Sequence, residues 1–296
     1  MSANGLTATL FSSSRRTQGL WLTALLAVLV GGFFGWQHFA PVTAANGWSF
    51  RVYLDGIPHV SALAKDRQGA LYISKELGNG RGILFSRAAD GSLTQAVVGL
   101  SKPDGLVAFR DGIAISQEGG DLPVLWRHDG QMETLFQGRS VEGLATDGQS
   151  LYAIEDRPGD GRLLRFDPLT RALTVLRSGL SEAEGVAICP DGQLFYTEKG
   201  KRWVKRWQAE GADVLVLEQL NAPGFLMCND EGLWITEDAT HRARLLLLDR
   251  SGSLQTVLSG LRSGQTVLPL APGHLLLAEQ GRGRVLEVER LPIPSR

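Results

Sequence analysis

Three acidic residues recur at one place in a repeated phrase: Asp104-Gly105-Leu106-Val107, Glu142-Gly143-Leu144-Ala145 and Glu184-Gly185-Val186-Ala187. Carboxylates gathered at one place repel, so they demand a cation, protons or nearby arginines. Counting back from the second strand of each repeat, the equivalent positions elsewhere are Ser61, Pro223 and Gln265, which carry no charge. A site needs asymmetry, and residues that break a repeat are better candidates than residues that obey it. Asp104, Glu142 and Glu184 are therefore the candidate metal ligands. Glu142 and Glu184 are also candidates for acid–base work, since an acid crowded by others has its pKa raised. His59 and His241 are the histidines nearest this face and the other candidate bases. No nucleophile elbow, Ser/His/Asp order or phosphate-binding glycine motif is present, and Gly281-Arg282-Gly283 reads as a hairpin turn.

A second set of acids obeys the repeat. Glu155, Glu198, Glu237 and Glu279 each close a short apolar run and are followed by a basic residue within several positions. Glu76 and Glu118 are shifted by one, with Lys75 and Gln117 in register. A feature present in every repeat serves the repeat, most simply as a Glu–Arg pair or as a Glu accepting backbone N–H groups.

These positions imply the elements that carry them. The phrase recurs about every 40 residues, a period typical of propeller blades. Each unit reads as four strands separated by turns, several with Asp-Gly at the bend. The second strands are Leu71–Ser74, Ile113–Ser116, Leu151–Ile154, Leu194–Thr197, Leu233–Thr236 and Leu275–Ala278. The sixth repeat stops after Arg284–Glu289, and Trp48–Leu54 is the expected donor of its missing outer strand. Closure by an N-terminal strand removes an exposed edge. The fold class is thus all-β, a six-bladed propeller over 48–291 preceded by one N-terminal transmembrane helix. Residues 41–47 read as a linker and 292–296 as a disordered tail.

The N-terminal 1–18 is polar and carries Arg15-Arg16, whereas Gly19–Trp36 holds no charge. Such a run is long enough to cross a bilayer, with Trp21 and Trp36 near its ends. Residues 19–40 are expected to be an anchor with the arginines cytoplasmic and the propeller outside the cytoplasm. A cleaved signal, using the small residues around Val42–Ala45, is the competing reading and delivers the domain to the same compartment. The net charge of -1 gives no reason to expect nucleic acid. The two cysteines, Cys189 and Cys228, fall five residues after Glu184 and Pro223. They are expected to be buried thiols, because inner strands of adjacent blades splay apart, although an oxidising compartment would permit a disulfide. No Cys/His cluster suggests zinc.

The acid-Gly phrases, each followed by an Asp-Gly turn and a Leu-Tyr-like strand, resemble the senescence-marker-protein/gluconolactonase superfamily, with its strictosidine-synthase-like members and similar NHL repeats. The resemblance covers Trp48–Leu291. It implies a divalent ion, commonly calcium, in the channel mouth, held in lactonase-type members by a first-blade Glu with later Asn and Asp residues. Here the first blade offers Ser61, and Asn221 lies two residues short of the ring. Asp104, Glu142 and Glu184 are what carries over by position. Two functions follow as expectations. One is a membrane-tethered hydrolase of lactones or related esters using that cation. The other is a non-catalytic propeller binding a protein, peptide or glycan at its mouth.

Overall fold

The computed structural model describes residues 15–88 and 90–292. The chain divides into two compact units, Met1–Pro41 and Val42–Arg296. The first contains one helix, Arg15–Phe39. Its stretch Thr17–Trp36 is long and apolar enough to cross a membrane, and an anchor or a signal sequence meets that test alike. The tail 293–296 lies outside the described residues.

The second unit is six antiparallel sheets, the blades of a propeller. Its inner strands are Val60–Lys65, Leu106–Phe109, Val141–Thr146, Val186–Ile188, Pro223–Asn229 and Gly264–Ala271. Each is followed by its neighbour outward in the same blade. The second strands are buried along nearly their whole length, which is why they read as continuous apolar runs rather than alternating ones. Both of their faces meet another blade. Six buried clusters result, each shared between two adjacent blades; Phe109 and Ala114 of blade two meet Leu151 and Ala153 of blade three in one of them. Every residue of these clusters lies after Pro41, so the propeller carries its complete core without the helix.

The ring closes as the sixth repeat requires. Trp48–Leu54 pairs antiparallel with Arg284–Arg290, from Trp48 opposite Arg290 to Leu54 opposite Val285. The segment read as a linker is not slack: Thr43 and Ala44 pair with Ser259 and Leu258 and add a fifth strand to blade five. Val42 and Ala45 bury against the cluster of blades five and six.

The cysteines depart from expectation. Cys189 and Cys228 form a disulfide, with Cα atoms 4.9 Å apart. Blades splay toward their rims, but their innermost strands converge on the channel, where the circumference is smallest. The two positions are also not equivalent. Cys228 stands opposite Leu233 as Ile188 stands opposite Leu194, so Cys189 is one residue further along.

Candidate functional site at the channel mouth

In five of the six blades the residue at the end of the second strand clamps its own blade. The fully buried Glu155 accepts two bonds from Arg162, from Nε at 2.6 Å and Nη2 at 2.7 Å, and the Arg139 N–H at 3.0 Å. Glu237 does the same with Arg244 and the Asn221 N–H, and Glu279 with Arg284, Arg282 and the Arg262 N–H. Glu198 takes the Ser181 N–H and the Trp203 indole N–H instead, and Gln117 substitutes in blade two by accepting the Ser101 N–H. Charge-assisted bonds of this kind are strong when buried. This ring holds the repeat together.

The next residue in each blade forms a different ring: Glu76, Glu118, Asp156, Lys199, Asp238 and Gln280. Extended backbone alternates sides, so one step beyond the clamp turns the side chain toward the mouth. The backbone N–H of each donates to the carbonyl of His59, Lys102, Ser140, Glu182, Ala222 or Ser263, at 2.7–3.0 Å. All six acceptors adopt a left-handed conformation, with φ between 49° and 61°. Glu76 and Glu118 are thus not displaced clamps; they belong to this mouth ring, and Lys75 and Gln117 stand in the clamp position.

In four blades the inner-ring residue directly follows the first paired residue of the inner strand. Val60, Val141, Pro223 and Gly264 stand opposite Lys75, Glu155, Glu237 and Glu279, and the register shifts immediately afterwards. Such bulges re-aim side chains. The ring is therefore Ser61, Asp104, Glu142, Glu184, Gly224 and Gln265. In blade five the occupant is Gly224, not Pro223. The turn between the first two strands of blade five is one residue shorter than in blades one, four and six, which shifts the count back from the second strand by one. A Cβ on Gly224 would lie 3.2 Å from both Glu184 Oε2 and Asp238 Cβ, so glycine lets the backbone approach these two side chains closely.

The glycine after each acid has a packing role. A Cβ on Gly105, Gly143 or Gly185 would overlap the carbonyl oxygen of Glu142, Glu184 or Gly224 in the next blade. Hydroxyls of the second strands stitch the same contact. Ser116 Oγ accepts the Gly105 N–H at 2.7 Å and donates to the Glu142 carbonyl at 2.6 Å, and Thr197 does so between Gly185 and Gly224. The backbone under the acids is therefore held on both sides.

All three sequence-derived acids reach this mouth, but they divide between two groups. Asp104 joins Glu76 and Glu118, while Glu142 and Glu184 join Asp156; within each group one oxygen per residue lies within 4.8 Å of the others. The first group is internally compensated. Lys102 pairs with Glu118 and, at 3.4 Å, with Glu76; Gln280 donates to Glu76 and Ser61 to Asp104. In the second, Lys199 bridges Glu184 to Asp238 of the next blade. Yet Glu142 Oε2, Asp156 Oδ1 and Glu184 Oε2 are buried with no hydrogen-bond partner among the described residues.

The electrostatics match. Burial pushes the Glu142 carboxyl well above the usual range, and the charges of Glu184 and Asp104 push it further. Asp104 is raised by burial and then by Glu76 and Glu118. Burial also raises Glu184, against the opposing pull of Lys199. Asp156, half-buried, is pushed up to about 6 by burial and the Glu118 charge. Burial works against the Lys199 ammonium, but Glu184 and Asp238 outweigh it and keep it charged. Seven carboxylates thus face two lysines, Lys102 and Lys199.

His59 is exposed and serves the mouth through its carbonyl, and His241 is half-buried in the turn after Asp238. Neither joins a group of potential metal ligands among the described residues. Sequence reasoning missed Asp156, Lys199 and Asp238. The signal was available as the residue after each clamp, where the charge sign varies from blade to blade.

The sequence profile of the strictosidine synthase family matches residues 145–211. No curated protein matches the chain. A gluconolactonase from Xanthomonas campestris superposes with a TM-score of 0.68 at 15% identity, covering 84% of this chain and 91% of its own. A PQQ-bound aldose sugar dehydrogenase from Streptomyces coelicolor gives 0.64 at 17%, covering 83% and 99%. An auxiliary nutrient binding protein from Bacteroides thetaiotaomicron gives 0.62 at 15%, covering 79% and 69%. Enzymes and a binding protein share the scaffold, so fold alone assigns no activity. At these identities the likeness establishes architecture, and the chain is a six-bladed propeller similar to the strictosidine synthase and gluconolactonase proteins.

Proposed function

We propose that this propeller is a cation-dependent hydrolase of lactones or related esters. One observation carries the reading: the unpartnered buried oxygens of Glu142, Asp156 and Glu184 in one group. Buried acceptors left unsatisfied are costly, and several negative ones together call for a positive charge. The donors are all hard oxygens, which suits calcium completed by water. Glu142, Asp156 and Glu184 would hold the ion, with Asp104 supporting the charge balance from the neighbouring group. When bound, such an ion polarises a carbonyl and makes a water nucleophilic near neutral pH.

The chain's own residues supply the rest. Lys199 is held between Glu184 and Asp238 and has N–H capacity left for an oxygen that gains charge during hydrolysis. Asp156 is the most exposed of the three acids and is the group placed to take a proton from an attacking water. Glu142 and Glu184 are only 5% and 4% exposed, too recessed for a protein or glycan surface to read, which favours a small ligand over the binding-module alternative.

We further read the helix as an uncleaved anchor. Arg15 and Arg16 orient it by the positive-inside rule, with the propeller outside the cytoplasm. The Cys189–Cys228 disulfide supports an oxidising compartment.

The test is hydrolysis of a panel of γ- and δ-lactones and aryl esters, followed by acid release with calcium and with chelator. Calcium-dependent turnover lost in Glu184→Gln is expected. Calcium binding without turnover of any member would favour the non-catalytic alternative, and absence of calcium binding would overturn the cation reading.

A further inference from the structure

The two ends of the channel differ chemically. The acids stand at the start of the inner strands. Toward the other end of those strands a cavity of about 240 Å³ is lined almost wholly by apolar side chains, among them Leu106, Leu144, Val186, Leu226 and Val267. An apolar cavity of about 150 Å³ suffices to bind benzene, so this one has room for a longer hydrocarbon. Two groups break its apolar character. Lys65 is the single charged residue among the described lining residues and is exposed at the rim. Thr266 also lines the cavity, and its Oγ1 is buried with no hydrogen-bond partner among the described residues. The other lining hydroxyl, Thr146, is already bonded to the Ser150 carbonyl at 2.8 Å.

Lys65 and Thr266 sit on adjacent inner strands, of blades one and six. By ring position Thr266 matches Ala62, three residues before Lys65. At about 3.3 Å per residue the two backbone positions are separated by roughly 10 Å along the channel. Between them the wall is apolar. We propose that this end of the channel binds a medium-chain hydroxyalkanoate, with its carboxylate on Lys65, its chain against the apolar wall and its far hydroxyl on Thr266. An unsatisfied buried hydroxyl gains a partner, and a fatty chain leaves water. Hydroxyalkanoates are the ring-opened form of lactones. The site nevertheless stands on Lys65 and Thr266 alone, and its test uses neither calcium nor hydrolysis.

The experiment is isothermal titration of the 42–296 propeller, and of the full chain in nanodiscs, with 8-hydroxyoctanoate, octanoate, hexanoate and octylammonium. Octanoate is expected to bind about fourfold tighter per added methylene than hexanoate, since each buried methylene contributes that factor. 8-Hydroxyoctanoate should bind severalfold tighter than octanoate, and octylammonium should bind weakest. Lys65→Ala should erase the preference for carboxylate over ammonium, and Thr266→Val should erase the preference for the hydroxylated chain. Lys65 is exposed and Val is close to Thr in shape, so both variants are expected to fold, with melting curves as the control. No binding, equal binding of octanoate and octylammonium, or a hydroxyl preference that survives in Thr266→Val would each overturn the proposal. Retention of binding in Glu184→Gln separates this site from the acidic mouth.

Discussion

Replacing Glu142 with Gln should reverse the sign of its effect on stability according to whether calcium is present. Gln nearly preserves shape and removes one charge from a buried group whose oxygens lie within 4.8 Å of one another. Two full charges at that separation repel by about 3 kcal/mol at an effective dielectric near 20. Part of this is relieved, because burial and then the charges of Glu184 and Asp104 raise the Glu142 pKa and favour its neutral form. A gain of about 1–3 kcal/mol is therefore expected for the metal-free variant at pH 8, or roughly 2–12 °C in Tm for a domain of this size. With calcium at a hundred times its Kd, the native protein should gain about 2.7 kcal/mol by mass action. The variant should gain almost nothing. The assay is thermal unfolding of the 42–296 propeller with chelator and across a calcium series. A variant less stable than the native protein without calcium would show that Glu142 is a needed hydrogen-bond acceptor. Equal calcium stabilisation of both would place the ion elsewhere. Either result refutes the reasoning.

Glu155→Gln, in the clamp ring, should cost about 3 kcal/mol by breaking a buried pair with Arg162, while the calcium response in the same unfolding assay stays intact. Reducing Cys189–Cys228, or replacing both with Ser, should lower stability by about 4 kcal/mol, the loop-closure value for a separation of 39 residues, read as a fall in Tm. The metal-free protein should lose stability as pH rises. Asp104, Glu142 and Glu184 have folded pKa values raised by burial, so their contribution is complete below the ordinary carboxylate range and declines as pH climbs toward the raised values. Saturating calcium should flatten that decline; a metal-free Tm that rises steadily from pH 5 to 8 would contradict it.

Much of the fold was legible in the chain. Short apolar runs, Asp-Gly turns and a repeat near 40 residues specify blades, because each blade can bury its faces only against a neighbour. The incomplete last repeat required an outer strand, and Trp48–Leu54 supplied it. The acid-Gly phrase was legible as a motif, and the structure explains its glycine as the point where one inner strand meets the next. The clamp ring was legible too, because a pair such as Glu155–Arg162 is local and recurs.

The tertiary structure decided the grouping of the acids. Equal register suggested that Asp104, Glu142 and Glu184 converge. The ring instead spaces them, and acids from the ends of second strands fill the gaps between them. Asp156 completes one group, and Glu76 with Glu118 completes the other. One residue of register separated Pro223 from Gly224 and Cys189 from the equivalent of Cys228, because the turn between the first two strands is one residue longer in blade four than in blade five, and counting back across that turn does not reveal the difference. The disulfide, the fifth strand at Thr43–Ala44 and the lone hydroxyl of Thr266 likewise depend on which strands lie side by side. Sequence determines the alternation within a strand and the length of a repeat, because these are local. Closing six blades into a ring sets the distances between blades, and those distances decide which charges share a site.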